Sequence, residues 1–244
     1  MISSLSIVIP IFNEEKRILN SLSKVKFFLY KFQKKLKTQF IFVDDGSTDK
    51  SLVLLKKFLE RNFIKNKIII LKKNRGKGAA LRAGVLNSNY SWVLTCDLDM
   101  SVPLNEVSKW IKKNYIEKNC EIYFGSRNHN KSIIYAKIYR KILGNIFKLI
   151  IKFFLRIKIR DTQCGYKLYK NRIAKKIFNK LTLVGFEHDL EIVIIAKKLK
   201  KNIIELPVKW THKSNSKLNL FIDTFKMLFG IILLIFKLKK NFGK

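Results

Sequence analysis

Trp92-Val93-Leu94-Thr95-Cys96-Asp97-Leu98-Asp99 joins a short apolar run to a pair of alternating carboxylates. The run is too short for a stable helix and suits a strand buried inside a sheet. Asp97 and Asp99 come directly after it, where both can reach one side of a sharp turn. Hard cations such as Mg²⁺ and Mn²⁺ favour such oxygen ligands and often bridge to substrate phosphates. An isolated Asp-x-Asp turn is equally a solvated loop. Its meaning depends on what the rest of the chain brings to the same edge.

Upstream, strand-like and helix-like segments alternate. Residues 5–10, 39–43 and 67–71 are apolar runs, and 121–125 repeats the pattern downstream. Between them, Ile18, Leu22, Val25, Phe28, Leu29 and Phe32 recur at helical spacing. Helices are also expected over 52–59, over 76–86 and from Pro103 through Trp110. Strands separated by helices of this size imply an α/β fold, a mostly parallel Rossmann-like sheet covered on both faces. Ligands of such sheets bind beyond the carboxyl ends of the strands. The clusters Asn13-Glu14, Asp44-Asp45, 74–77 and 97–99 all come after strands, so they are expected on one rim.

The second half reads differently. Lys137, Lys141, Lys148, Lys152 and Arg156 share a helical stripe beside Ile142, Ile146, Phe147, Ile150 and Phe153. That pattern fits an interfacial helix within 132–159, or an ordinary amphipathic helix packed on the sheet. Helices near 172–179 and after 185–191 and a strand at 203–208 come next. The expected division is a catalytic domain over 1–217 and an amphipathic, membrane-associating tail over 218–244.

Composition sets outer bounds. A formal charge of +34 favours anionic partners, or reflects a Lys-, Ile- and Asn-rich genomic bias. Cys96, Cys120 and Cys164 lie in no CxxC spacing, which speaks against structural zinc and fits a reducing compartment. A strand-like run begins almost at once, so no signal peptide is read. Residues 227–236 fall short of the ~20 apolar residues a span requires. Neither an aromatic RNA-binding motif nor a helix-turn-helix signature occurs, so no nucleic-acid partner is expected.

Each polar cluster has a plain structural reading beside a chemical one. Asp44-Asp45-Gly46-Ser47 is a cap and turn, or a hydrogen-bond acceptor for a nucleobase or ribose. Asn74-Arg75-Gly76-Lys77-Gly78 lacks the Walker spacing, yet its glycines and cations at a helix start suit a diphosphate. Asp161, Asp189 and Glu191 are candidates for orienting sugar hydroxyls or an acceptor, or else are turn and helix-start acids. His129 and His188 are expected in turns or on the surface, since no second histidine lies at metal-ligand spacing.

The ordered set Ser6 to Glu14, Val43 to Asp49, Asn74 to Ala79, Asp97-Leu98-Asp99 and Gly125-Ser126-Arg127 resembles family 2 glycosyltransferases with the A-type nucleotide-diphospho-sugar fold. Asp161-Thr162-Gln163-Cys164-Gly165-Tyr166-Lys167 is similar to a segment of dolichyl-phosphate β-glucosyltransferases and their bacterial relatives. The 186–191 stretch, Trp210 and Ser216-Lys217 agree with it.

The resemblance implies that Pro10, Phe12, Glu14, Val43 (through its backbone) and Asp45 contact the nucleoside, and that Asp97 and Asp99 hold Mg²⁺ or Mn²⁺ on the diphosphate. Leu98 lines the site, Ser101 adds a weaker metal ligand, and Arg127 and Lys217 meet phosphates. Arg75 and Lys77 are expected near the diphosphate, and Arg127, Asp161 and Asp189 near the chemistry. A family arginine just before the tail lysine has no clear counterpart, His212 or Lys213 standing nearest. The implied reaction is inverting transfer of a hexose to a polyprenyl or dolichyl phosphate. UDP-glucose is the favoured donor and GDP-mannose the alternative. The expected setting is peripheral, on the anionic cytoplasmic face of a membrane.

Overall fold

The computed structural model describes residues 2–32, 36–135, 158–185 and 187–212. The stripe expected at 137–156, the tail from 218 and Lys217 lie outside them. Strand β1 (Ser4–Ile11) alternates between two apolar faces. Ile7 and Ile9 point into one hydrophobic layer and Val8 into the other, and all three are fully buried. Next to it lie β2 (Lys37–Asp44) and β3 (Asn66–Ile70) on one side and β4 (Trp92–Thr95) on the other, all parallel. These strands match the four apolar runs of the first half within a residue or two.

Helices close both faces. On one, α1 (Ile18–Phe32), α2 (Ser51–Arg61) and α4 (Glu106–Lys112) contribute Leu22, Val25, Phe28, Leu55 and Trp110. On the other, α3 (Lys77–Leu86), α5 (Asn171–Lys180) and α6 (His188–Lys198) contribute Leu81, Val85, Ile177, Phe178 and Ile192. Helix α4 begins later than Pro103, because Leu104 and Asn105 form a turn first.

Beyond β4 the sheet departs from simple alternation. Its strand order is β3-β2-β1-β4-β7-β5-β8, with β5 (Ile122–Ser126), β7 (Lys167–Lys170) and β8 (Ile204–Pro207). Strand β7 runs antiparallel to both β4 and β5 and wedges between them, while β5 and β8 are parallel. A separate two-stranded ribbon pairs β6 (Ile133–Tyr135) with β9 (Lys209–Thr211), also parallel. Strands β6, β7 and β9 go beyond the sequence expectation. They are only three or four residues long, and lysines bracket β7. Among the described residues, no helix is long and apolar enough to cross a membrane.

Helix α3 lies unusually close to the sheet. A Cβ on Gly84 would stand 2.3 Å from Val8 Cγ1 and 3.0 Å from Val43 Cγ2. The branched side chains on β1 and β2 leave room only for a hydrogen. Gly84→Ala therefore overpacks this face and is expected to cost about 1–3 kcal/mol despite alanine's better helix propensity. Urea denaturation measures it. A variant as stable as the parent would mean that α3 can lift freely from the strands.

Candidate active site

Four loops meet at the carboxyl edge because the four parallel strands β1 to β4 end side by side. Asp45 N donates to Ile11 O at 2.8 Å, Leu71 N to Asp44 O at 2.9 Å, and Cys96 N to Val8 O at 3.1 Å. Asn13, with φ at 52°, locks the first two loops together. Its Oδ1 accepts from Thr48 N at 2.8 Å and Asp49 N at 3.3 Å, while its own N–H donates to Ser47 Oγ at 2.9 Å. Glu14 N donates to Ser51 Oγ at 2.6 Å, and the Glu14 carboxylate pairs with Arg17.

Asp45 is buried, and its carboxylate organises the third loop. Oδ1 accepts from Arg75 N at 2.9 Å; Oδ2 accepts from Gly76 N at 2.8 Å and Asn74 Nδ2 at 3.2 Å. Burial raises the Asp45 pKa further than these hydrogen bonds lower it. Around this anchor, Phe12 is partly exposed, Pro10 pairs in register with Val43, and the Val43 side chain is core. Arg75 itself points to solvent.

The two acids of the quoted stretch are held differently. Lys77, the first residue of α3, places Nζ 2.5 Å from Asp97 Oδ1. Burial pulls the Lys77 pKa down, but Asp97, Asp189 and Asp99 outweigh it and the ammonium ends above its ordinary value. Asp99 instead closes its own turn, accepting from Ser101 N at 2.8 Å and Ser101 Oγ at 2.9 Å across Met100 at φ 53°. Leu98 between them is buried in the core.

Two carboxylates and a hydroxyl at a partly open edge form an all-oxygen donor set. Such a set suits a hard divalent cation that keeps further positions for water or phosphate. Among the described residues no cluster of three or more His, Cys, Asp or Glu is built to enclose an ion. A cation shared with a substrate's phosphates is the kind such an oxygen set fits.

A cavity of about 50 Å³ opens beside Asp97 and is lined by Ser101, Arg127, Gln163, Gly165 and Trp210. Arg127 crosses it, with Nε and Nη2 each 2.8 Å from the Asp161 carboxylate and Cζ 5.8 Å from the Trp210 ring centroid. Burial alone would raise Asp161, yet Arg127 holds it below the usual carboxylate range. Both Asp161 oxygens are thus engaged by Arg127, and Asp161 acts on the site through that arginine. Gln163 and Trp210 were legible only as parts of motifs. Gln163 Nε2 is buried without a hydrogen-bond partner among the described residues.

Asp189 lies deeper. It pairs with Lys167 from β7, and His188 Nε2 stands 3.2 Å away. Burial raises Asp189, but His188, Lys167 and Lys77 together keep it below its ordinary value. The surface expectation for His188 is corrected: the residue is fully buried, its Nδ1 2.6 Å from Gly185 O, because α3 packs over it. Burial lowers its pKa. Glu191 caps the preceding loop, accepting from Thr182 N, Thr182 Oγ1 and Leu183 N.

These strand-end loops, with paired acids and a basic flank, can seat a nucleotide diphosphate. The profile of Glycosyl transferase family 2 matches residues 6–178. The chain belongs to that family. It is a glycosyltransferase enzyme of the A-type fold. Dolichyl-phosphate beta-glucosyltransferase of Dictyostelium discoideum is 34% identical over 244 residues, covering 96% of this chain and 74% of the relative. The Homo sapiens protein of the same name is 34% identical over 224 residues, covering 88% and 69%.

Solved structures agree on the fold. Glucosyl-3-phosphoglycerate synthase from Mycobacterium tuberculosis superposes with a TM-score of 0.69 at 13% identity, covering 94% of this chain and 79% of that one. A mannosyltransferase from Pyrobaculum calidifontis, in complex with GDP-Man and Mn²⁺, gives 0.61 at 13%, covering 92% and 61%.

A Cβ on Gly165 would fall 2.4 Å from Asp97 Oδ2, the movable end of a side chain. Gly165→Ala is expected to displace that carboxylate, cutting turnover about tenfold or more while changing stability by about 1 kcal/mol or less; turnover assays and melting curves test both. For Asp161, the unfolded chain takes up its proton more readily than the folded chain. Its stabilisation is present above the ordinary carboxylate pKa and disappears as pH falls through the lowered folded value. Asp161→Asn should cost about 2 kcal/mol near neutrality, discounted for the partly exposed arginine, with the gap narrowing below about pH 4. Denaturation series at several pH values would show a constant gap if the pair were unimportant.

Proposed function

We propose that this chain transfers glucose from UDP-glucose to a dolichyl or other polyprenyl phosphate, inverting the anomeric configuration, at a membrane surface. The observation that carries the reading is the 34% identity to dolichyl-phosphate beta-glucosyltransferases over nearly the whole chain. The rim geometry supports it.

In this reading Pro10, Phe12, Glu14, Val43 and Asp45 form the nucleoside end, with Asp45 acting partly through the loop it ties down. Asp97 and Asp99, helped by Ser101 and anchored by the core residue Leu98 between them, hold Mg²⁺ or Mn²⁺. When bound, that cation neutralises charge on the diphosphate leaving group. Lys77 keeps Asp97 in place at the same edge, and Arg75 extends the basic side of the loop. Arg127, fixed by Asp161, and Lys217 offer positive charge to the phosphates. Asp189 orients the floor of the site through Lys167.

The acceptor phosphate oxygen is already anionic near neutral pH. It attacks the anomeric carbon from the face opposite the nucleotide; the new C–O bond forms as the bond to the diphosphate breaks, and no strong general base is required. The catalytic domain spans 1–217. An interfacial helix within 132–159 and the tail over 218–244 attach it peripherally to an anionic, cytoplasmic leaflet, where each lysine contributes about 1 kcal/mol.

Incubation with labelled UDP-glucose or GDP-mannose, Mg²⁺ or Mn²⁺, and polyprenyl phosphate tests this directly. Label should enter lipid from UDP-glucose; none from any donor would remove the reading, and label from GDP-mannose alone would change the sugar. Asp99→Ala is expected to lower transfer about a hundredfold or more with an unchanged circular dichroism spectrum.

A further inference from the structure

The β6–β9 ribbon joins the active-site rim on one side and, among the described residues, is open on the other. Thr211 N donates to Ser101 O at 2.9 Å, which ties β9 to the Asp99 turn. Ile133 N donates to Val208 O at 3.1 Å, and Ser132 Oγ to Ser126 O at 2.6 Å, which anchor β6 beside Arg127. In register, Ile134 faces Trp210, and Trp210 turns inward to line the cavity with Arg127. The alternate residues turn outward. Ile133 is 53% exposed, Tyr135 is 55% exposed, and Lys209 is exposed with Nζ 5.8 Å from the Tyr135 ring centroid. Lys131, just before the strand, is exposed as well.

We propose that this outer face of the β6–β9 ribbon is where the enzyme rests on an anionic lipid bilayer. This rests on the reading that the acceptor is a lipid phosphate. Three observations select the bilayer as occupant. First, an aliphatic side chain, a tyrosine and lysines on one small face match the chemistry of a membrane interface, where apolar bodies sink and charged or polar tips stay at the headgroups. Second, Trp210 on the inner side of the same strand pair lines the cavity with Arg127, so a bilayer on the outer face lies one strand away from that arginine. Third, β6 and β9 are parallel, so the chain leaves both at the same end. The sequence downstream of each strand is strongly basic: residues 136–157 carry six Lys or Arg and no acid, and 213–244 carry seven Lys and one Asp.

Among the described residues, Phe27, Tyr30 and Phe63 are exposed as well. Phe27 and Tyr30 sit near the far end of α1, which closes against the amino edge of the sheet where Lys37 N meets Ser3 O at 3.1 Å. A bilayer there would hold the cavity away from the lipid phosphate. That group serves as the internal control.

The test uses the full chain and sedimentation with vesicles of equal parts phosphatidylcholine and phosphatidylglycerol. The variant Ile133→Ser/Tyr135→Ser/Lys209→Glu should bind these vesicles about tenfold or more weakly than the parent. It should retain sugar transfer to a short, detergent-dispersed polyprenyl phosphate, which also reports that it folds. The variant Phe27→Ser/Tyr30→Ser/Phe63→Ser should sediment like the parent. Parent-like binding by the ribbon variant overturns the proposal, as does loss of binding confined to the opposite-edge variant. A parent that binds vesicles through the ribbon but transfers no sugar would leave this surface standing and remove the functional reading instead.

Discussion

The ammonium of Lys77 stands among carboxylates delivered by separate elements: Asp97 and Asp99 after β4, and Asp189 from α6. A half-buried cation needs anionic partners, and several acids gathered at one edge need a cation between them. Each requirement answers the other. Lys77 also opens α3, the helix on which Gly84 meets Val8. The second tier repeats the device, with Lys167 from β7 engaging Asp189 beneath. The floor of the site is a stack of opposite charges whose members belong to β4, α3, β7 and α6.

Arg127 and Asp161 form the other fixed charge pair, at the far wall of the cavity. The carboxylate also accepts the Arg127 backbone N–H at 2.8 Å, while Asp161 N and Arg160 N both donate to Glu205 at 2.9 Å. Main chain and side chain are thus held by the same acid. An arginine restrained in this way presents its charge without a search for a conformation, which is the economy that preorganised sites exploit.

The N-terminal half was largely legible in the sequence because its strands are apolar runs and its helices carry a 3.6-residue period. Rim placement of Asp45, Asp97 and Asp99 came from the rule that parallel strands end together. The roles of individual acids were less visible. Asp45, Asp161 and Asp189 all spend their oxygens on neighbours far away in the chain, and only packing reveals such partners. Strand β7 was hidden for a related reason. Lys167 reads as a surface residue until Asp189 supplies its counter-charge, and His188 reads as a turn residue until α3 covers it.

The antiparallel wedge also governs the order in which the molecule can be made. As the chain emerges during synthesis, β1 to β4 can pair early, but β4 keeps an open edge until Lys167–Lys170 arrives. Gln163, Cys164 and Gly165 come with that same segment and form one part of the cavity wall, to which Trp210 on β9 is added later. Closing that edge of β4 and building this part of the pocket are therefore one event, and a nascent chain cut short before β7 has neither.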